Sequence, residues 1–328
     1  MHRREFLAVL GNLVGAWPLT AYAQHRLNLN IGYLGSESPD LFASRLHAFH
    51  KGLNETGYAE GRNVGIEYRW AEGDNGRFSA LAADLVRLQV TVIAAPGSTP
   101  AALAAKAATT TIPIVFAVGA DPVQLGLVAS LSRPGANVTG AASLNVEIGR
   151  KRVYLLQSLV PNAKSIGLLI NPSNPILAKI QSEDAHAAAQ DLGMQLSMIP
   201  ASNEAELNAS FSKLSSIGIS ALLISNDAFF ISESRQLAAL ATRYGIPAIH
   251  QSREFAVAGG LVSYGGSVLE AHQQAGSYVG RILNGTKPAD LPIAQSTRVE
   301  MVLNLTAAKM LGLRVSPSII TGADEVIE

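Results

Sequence analysis

The sequence predicts an α/β fold of two like lobes, each built on a doubly wound parallel sheet. Three observations carry this. Apolar runs alternate with helical patterns along the chain, which is βαβ grammar. One run, Ile114-Val115-Phe116-Ala117-Val118, is apolar without alternation, as suits a parallel strand covered on both faces. The series then restarts at a near-constant offset: Ile31 to Ile166 (166 − 31 = 135) and Pro113 to Pro247 (247 − 113 = 134).

Residues 30–35 read as the first strand. Leu41, Arg45, Leu46, Phe49 and Leu53 mark a helix that Gly57 stops. Residues 64–70 are the second strand, 78–88 the next helix, 90–95 the third strand and 101–109 an alanine-rich helix, before the strand at 114–118. The restart places strands at 165–170, 195–199, 220–225 and 245–249, with a helix through 185–192 ended by Gly193. Residues 268–283 read as one helix, 298–305 as a strand and 306–311 as a short helix. These last pieces return to the two sheets, so each lobe is discontinuous, with crossings near 141–146, 263–268 and 291–298. The expected lobes are 24–142 with 266–293, and 143–265 with 294–328.

With 328 residues, 48% of them hydrophobic, the chain can bury cores for two domains. Lys+Arg and Asp+Glu are 25 each, so there is no electrostatic footprint for nucleic acid. The absence of cysteine excludes disulfides, thiolate metal sites, cysteine nucleophiles and a lipid-modified amino terminus. The first residues read as an export address. His2-Arg3-Arg4 precedes the apolar stretch 6–19, and Ala21-Tyr22-Ala23 is a small-x-small cleavage site, so the mature chain is expected to begin at Gln24. Arg3-Arg4-Glu5-Phe6-Leu7 also has the twin-arginine pattern, leaving that route and the general secretory one open. Either leads to the periplasm.

Ligands of open α/β sheets bind outside the carboxyl ends of the strands. The loops there repeat a polar residue followed by proline: Ser38-Pro39, Thr99-Pro100, Asp121-Pro122 and Asn174-Pro175. Each polar residue is expected to cap a helix whose first position holds the proline. Several helix amino termini would then point into one crevice and attract anions. Gly35, Gly97 and Gly119 keep those turns small, and Ser36 and Ser98 lie beside them. Asp227 has no proline after it, so it is expected to be freer for a ligand, with Asp121 both capping and facing the cleft.

Signatures of catalysis are missing: there is no G-x-x-x-x-G-K-[ST], no G-x-S-x-G and no H-E-x-x-H. His47 and His50 lack a third ligand at metal-binding spacing, and His250 reads as a polar lining residue. We therefore expect no catalytic residue, no metal and no cofactor.

Several segments together resemble one known family. They include Gly57-Tyr58-Ala59-Glu60-Gly61-Arg62-Asn63, residues 67–73, Ile112-Pro113-Ile114-Val115-Phe116 and 119–122. Further on they include Arg253-Glu254-Phe255, 258–261, Ser263-Tyr264-Gly265 and residues 287–292. The chain is similar to the extracytoplasmic substrate-binding proteins of ABC transporters, in the subgroup with tryptophan- and tyrosine-binding members. That resemblance implies two Rossmann-like lobes of the type I periplasmic binding protein class, hinged by three crossovers and closing on a small ligand. It also implies a permease in the inner membrane as partner; we expect a monomer.

The acids Asp121, Asp227, Glu37 and Glu254 near strand ends, with Arg253 as the cation expected there, suit a zwitterion. Its amine would meet carboxylate, and its carboxylate the N–H groups near Ser98 and Thr99, while Phe229, Phe230 and Tyr264 could flank its side chain. The expected ligand-binding set is Gly35, Ser36, Gly97, Ser98, Thr99, Gly119, Asp121, Asn171, Asn174, Asp227, Phe229, Glu254 and Tyr264. An exported enzyme of the same fold, and a receptor for a membrane signalling partner, are the alternatives.

The export reading has a direct check. Arg3→Lys combined with Arg4→Lys is expected to leave precursor in the cytoplasm in a fractionation assay. Normal export of that double variant would point to the general secretory route.

Overall fold

Two sheets of the same strand order form the framework of the computed structural model, which describes residues 29–214, 216–296 and 298–328. The expected signal segment and its cleavage site after Ala23 lie outside the described residues. The first series is β1 (Asn30–Gly35), β2 (Gly65–Trp70), β3 (Val92–Pro96), β4 (Ile114–Val118) and β5 (Val138–Ala142). The second is β6 (Ser165–Ile170), β7 (Gln195–Pro200), β8 (Ala221–Ile224), β9 (Ala248–His250) and β10 (Val262–Gly266). Near the carboxyl end come β11 (Ala294–Gln295), β12 (Val299–Asn304) and β13 (Glu325–Ile327).

The sheets run β11-β5-β4-β3-β1-β2 and β13-β12-β10-β9-β8-β6-β7. Strand by strand, 5-4-3-1-2 repeats as 10-9-8-6-7, which is the structural form of the 135-residue repeat (166 − 31). Every residue of β3, β4 and β5 is buried, as expected for parallel strands with helices on both faces. One pairing departs from the parallel rule: β10 and β12 are antiparallel. The chain enters β12 directly from β11 in the other sheet, with no crossover helix to restore its direction. Because β11 pairs with β5, the first sheet extends to Gln295, two residues past the expected break at 293.

The helix Val268–Leu283 belongs to the first lobe, where Ala271, Ala275 and Val279 share a core with Ile31, Tyr33 and Val115. It lies close against the helix Ala43–Asn54: a Cβ added at Gly276 would sit 2.0 Å from the Phe49 carbonyl oxygen. That close approach fixes the height of His272 and Phe42 at the end of the sheet.

The crossovers are tied to one another. Asn145 donates from Nδ2 to the Gly266 carbonyl at 3.2 Å and accepts the Gly266 N–H at 2.8 Å. The fully buried Arg152 donates to the carbonyls of Tyr264 and Asn145, both at 2.7 Å. Burial lowers its pKa to about 9, so it remains a cation held mainly by carbonyl dipoles.

Three expected caps need correction. Thr99 is the first residue of the helix Thr99–Ala108, and Ser98 caps it, with Oγ accepting the Ala101 N–H at 3.4 Å. No helix follows Asp121-Pro122; residues 122–126 form turns, and Asp121 Oδ1 accepts the Val123 N–H at 2.8 Å. Asn174 occupies the cap position of Pro175–Asp191 but makes no cap bond, because its side chain is engaged elsewhere. Ser38 does bond locally, accepting the Leu41 N–H at 3.4 Å.

Candidate ligand site

Strand order reverses between β1 and β3 in one sheet and between β6 and β8 in the other. Loops diverge at such switch points and leave a crevice at the carboxyl ends. Here the two crevices face each other. Asn75 Nδ2 of the first lobe donates to the Ser173 carbonyl at 3.2 Å, and Leu177 of the second joins the first lobe's core.

Between the lobes lies a narrow chamber in which about 390 Å³ is free of protein atoms, part of it open to solvent. The first lobe contributes Glu37, Gly97, Ser98, Thr99 and Gly119; the second contributes Asn171, Asn174, Asn226, Asp227 and Phe229. Asp227 is the organising group. Its Oδ1 accepts from Asn171 Nδ2 at 2.9 Å and from the Phe229 N–H at 3.0 Å, and its Oδ2 accepts from Asn174 Nδ2 at 2.9 Å. It also caps the helix Ala228–Ser232, so the expectation of a weaker structural role than Asp121 is reversed. Burial raises its pKa, and those three donors pull the other way.

Glu37 faces it from the other lobe, 6% exposed. Burial first, then the charge of Asp227, pushes its carboxyl up to about 7, against the pull of Arg45. Arg45 is the buried cation here. It stacks on Phe42 with its guanidinium carbon 4.3 Å from the ring centroid, and Glu254 and Glu37 act on it through space. Burial lowers its pKa, and no hydrogen bond to a described residue offsets that. The amino terminus of Thr99–Ala108 also lines the chamber and brings its partial positive charge and the Thr99 N–H; Pro100 has no N–H, and that of Ala101 is taken by Ser98. Gly97, at φ +82, turns the chain there.

A second, narrow recess, with about 290 Å³ free of protein atoms and partly open to solvent, shares Gly97, Gly119 and Asn226 with the first. Val118, Ile231 and Ala271 give it apolar walls, and Gln251 and His272 give it polar ones.

Eight of the thirteen expected residues line the first chamber: Gly97, Ser98, Thr99, Gly119, Asn171, Asn174, Asp227 and Phe229. Five do not line either one. A Cβ at Gly35 would strike Trp70, and Ser36 is buried with Oγ unpartnered among the described residues. Asp121 closes its own turn, and its N–H bonds Glu147. Glu254 is exposed and accepts a bond from Ser252. Tyr264 packs on the second lobe's core, and Phe230 is likewise buried in a core.

Arg253, expected as the cleft cation, forms an exposed two-point pair with Glu325. His250 packs edge-on against Phe255 beneath the loops. His50 bonds the Tyr68 hydroxyl at 3.0 Å, and no group of three or more His, Cys, Asp or Glu is placed to hold a metal among the described residues. Sequence reasoning missed Asn226, Gln251, His272 and Arg45. Asn226 lies two residues after β8 and Gln251 one after β9, so both were findable by that rule; the others are helical and were not.

Residues 37–327 match the family described as ABC transporter substrate binding protein. The chain belongs to that family. It is 30% identical over 289 residues to a tyrosine-binding protein of Clostridioides difficile (strain R20291), covering 88% of this chain and 81% of that one. Among solved structures it is similar to an ABC domain from Streptococcus pneumonia in complex with L-Trp. That similarity has TM-score 0.80 and 26% identity, over 92% of this chain and all of that one. A ligand-free, open substrate binding protein from Clostridium difficile is 28% identical over 91% of this chain and 99% of that one, yet superposes at only 0.62. Like identity with a lower score is what a different lobe angle produces. The binding protein described here has its lobes closed, as the contacts between Asn75 and Ser173 already show. No helix among the described residues is long and apolar enough to cross a membrane.

Closure brings Gly119 of one lobe against Asn226 of the other: an added Cβ would sit 2.0 Å from Asn226 Nδ2. Gly119→Ala is therefore expected to hold the lobes apart. Under ligand conditions that contract the wild type, small-angle scattering of the variant should keep the larger radius of gyration. Its melting temperature, set by the separate cores, should move little. A scattering curve equal to that of the closed wild type would mean that Asn226 gives way.

Proposed function

We propose that this protein is a periplasmic receptor of an ABC importer that closes on a zwitterionic amino acid, of aromatic type, and presents it to an inner-membrane permease. The observation that carries this reading is the lining of one chamber, which combines the carboxylates of Asp227 and Glu37 with the capped amino terminus of Thr99–Ala108. An ammonium group suits the carboxylates and a carboxylate the helix terminus. The tyrosine-binding and L-Trp-bound relatives support an aromatic amino acid.

In this reading Asp227 arrives pre-oriented. Asn171, Asn174 and the Phe229 N–H fix its plane, leaving a lone pair of Oδ2 for the ligand nitrogen. Glu37 is the counterpart on the facing lobe, so an ammonium placed between them replaces like-charge repulsion with two attractions. That exchange is a reason for the lobes to close, since each carboxylate belongs to a different sheet. The crossovers joined by Asn145 and Arg152 would serve as the hinge. Export by the signal at residues 1–23 and a monomeric state complete the proposal.

The pH dependence follows from Glu37. Its raised pKa stabilises the ligand-free fold at low pH, and that contribution fades as pH rises through about 7. A bound ammonium lowers the same pKa, so binding should release a proton near neutrality. Affinity should strengthen as pH rises from about 6 to about 8, while the ligand amine is still charged. Calorimetry of L-tyrosine or L-tryptophan binding, in buffers of differing ionisation enthalpy, reads the released proton. Glu37→Gln should abolish the release. Asp227→Asn should weaken binding at least tenfold, since a charge-assisted bond contributes about 1.5–3 kcal/mol. It should also lower the ligand-free melting temperature, because one of its amide donors loses an acceptor. Wild-type affinity in Asp227→Asn would overturn the ammonium assignment.

A further inference from the structure

The recess beside the ligand chamber carries the polar side chains of Ser143, Asn145, Asn226, Gln251 and His272. The first two are engaged at the hinge: Asn145 Nδ2 donates to Ser143 Oγ at 3.0 Å, and Ser143 Oγ donates to the Val118 carbonyl at 3.5 Å. The other three each leave one buried atom without a partner among the described residues: Asn226 Nδ2, Gln251 Oε1 and His272 Nε2. Their residues are 5%, 4% and 0% exposed. Buried polar atoms are normally paired, either with protein or with ordered water.

The chemistry of the three atoms is fixed by their neighbours. His272 Nδ1 lies 2.8 Å from the Val268 carbonyl oxygen, which can only accept, so Nδ1 carries the hydrogen and Nε2 is a bare lone pair. Burial, and after it the charge of Arg45, brings the imidazole's pKa down to about 3, which keeps the ring neutral. Gln251 Nε2 donates to Asn226 Oδ1 at 3.1 Å, leaving Gln251 Oε1 as an acceptor and Asn226 Nδ2 as a donor. Exchanging nitrogen and oxygen in both amides swaps these two roles and keeps the total. The recess presents two acceptors and one donating group either way.

The occupant must also be small. His272 Nε2 lies 2.8 Å from the point where a Cβ on Gly97 would sit, and Asn226 Nδ2 lies 2.0 Å from that point on Gly119. Neither glycine has room for an added methyl group, so a ring or a chain is excluded there. Water donates twice while it accepts, and buried waters sit where two to four polar partners converge. A cation has no lone pair for the Asn226 N–H, and a simple anion has no hydrogen for the two acceptors.

We infer that the recess is the site of one ordered water that pins the lobes shut, donating to His272 Nε2 and Gln251 Oε1 and accepting from Asn226 Nδ2. Its effect on closure follows from where the partners come from. His272 lies on the helix Val268–Leu283 of the first lobe, whereas Asn226 and Gln251 come just after β8 and β9 of the second. Opening separates them and returns each to bulk water, so the three-way bridge belongs to the closed form alone. A bridging water is enthalpically close to a direct hydrogen bond. Neither His272 nor Gln251 lines the ligand chamber, so both are positioning residues for the closed state. Any ligand that closes the lobes completes the site, and the pin therefore goes beyond the choice of ligand above.

A crystal structure of the closed protein, grown with L-tyrosine or L-tryptophan, should show one water about 2.7–3.2 Å from each of the three side chains. Gln251→Met is close in size and cannot hold the water. It should weaken binding of whichever amino acid the wild type takes by about threefold to tenfold. In stopped-flow fluorescence the loss should lie in faster dissociation, with association unchanged, because the pin forms only after closure. His272→Phe should do the same from the other lobe, and the double variant should lose no more than either single one, since all three lack the same bridge. If one variant fails to fold, the other and the crystal structure decide. A ligand atom or a direct bond between His272 and Asn226 in place of the water would overturn the pin. So would wild-type affinity in the folded variants, or losses that add. Failure of both amino acids to bind would overturn the amino-acid reading alone. The water would then be sought in ligand-free crystals with the lobes closed, where finding none overturns the pin.

Discussion

The hydrogen bonds that hold Asp227 are the constraint on which the cleft depends. A carboxylate only 5% exposed is costly unless its lone pairs are engaged, and three donors engage them. Each donor comes from the switch point of the second sheet: Asn171 and Asn174 follow β6, and Phe229 follows β8. The same bonds therefore bind two loops that would otherwise diverge, cap the helix Ala228–Ser232 and aim a charge at the facing lobe. Only an acid at this position does all three. Its charge in turn helps raise the pKa of Glu37, so the proton balance of the closed cleft follows from this network too.

The first lobe answers with helix termini and small residues rather than with a second network. Ser98 caps Thr99–Ala108, and Gly97 and Gly119 keep the strand ends free of side chains that would fill the space. The glycine contacts between Ala43–Asn54 and Val268–Leu283 set Phe42 and His272 at the cleft. The later helix is reached only after the chain has built the second lobe's main strands. Lobe identity and site composition are therefore coupled: His272 is supplied to the first lobe by chain returning from the second, next to the crossover that Asn145 ties down.

Much of this was legible in the sequence because burial leaves a local mark. The run Ile114–Val118 reads as a covered strand, and the offset between Pro113 and Pro247 announces the repeat of sheet order. Strands β5 and β10 were not anticipated: Val138–Ala142 holds threonine and glycine, and Val262–Gly266 ends in two glycines, so neither is a clean apolar run. The cap-plus-proline pattern located the cleft loops yet misassigned their bonds. It cannot tell that Asn174 will abandon its own helix for Asp227, or that Asp121 will start a turn with no helix behind it. Arg45 and His272 lie on helices whose apolar periodicity hides them, and only the packing of one helix on the other brings them to the cleft. Charge counting failed for a related reason, since Arg253 found Glu325 at the surface while Arg45 took the buried place.

The most direct measurement is a crystal structure of the protein with a bound aromatic L-amino acid. The ligand nitrogen is expected about 3 Å from Asp227 Oδ2, with its carboxylate on the Thr99 N–H at the start of Thr99–Ala108. A ligand lying in the opposite sense, with its carboxylate toward Asp227, or one bound outside the cleft between the lobes, would contradict this.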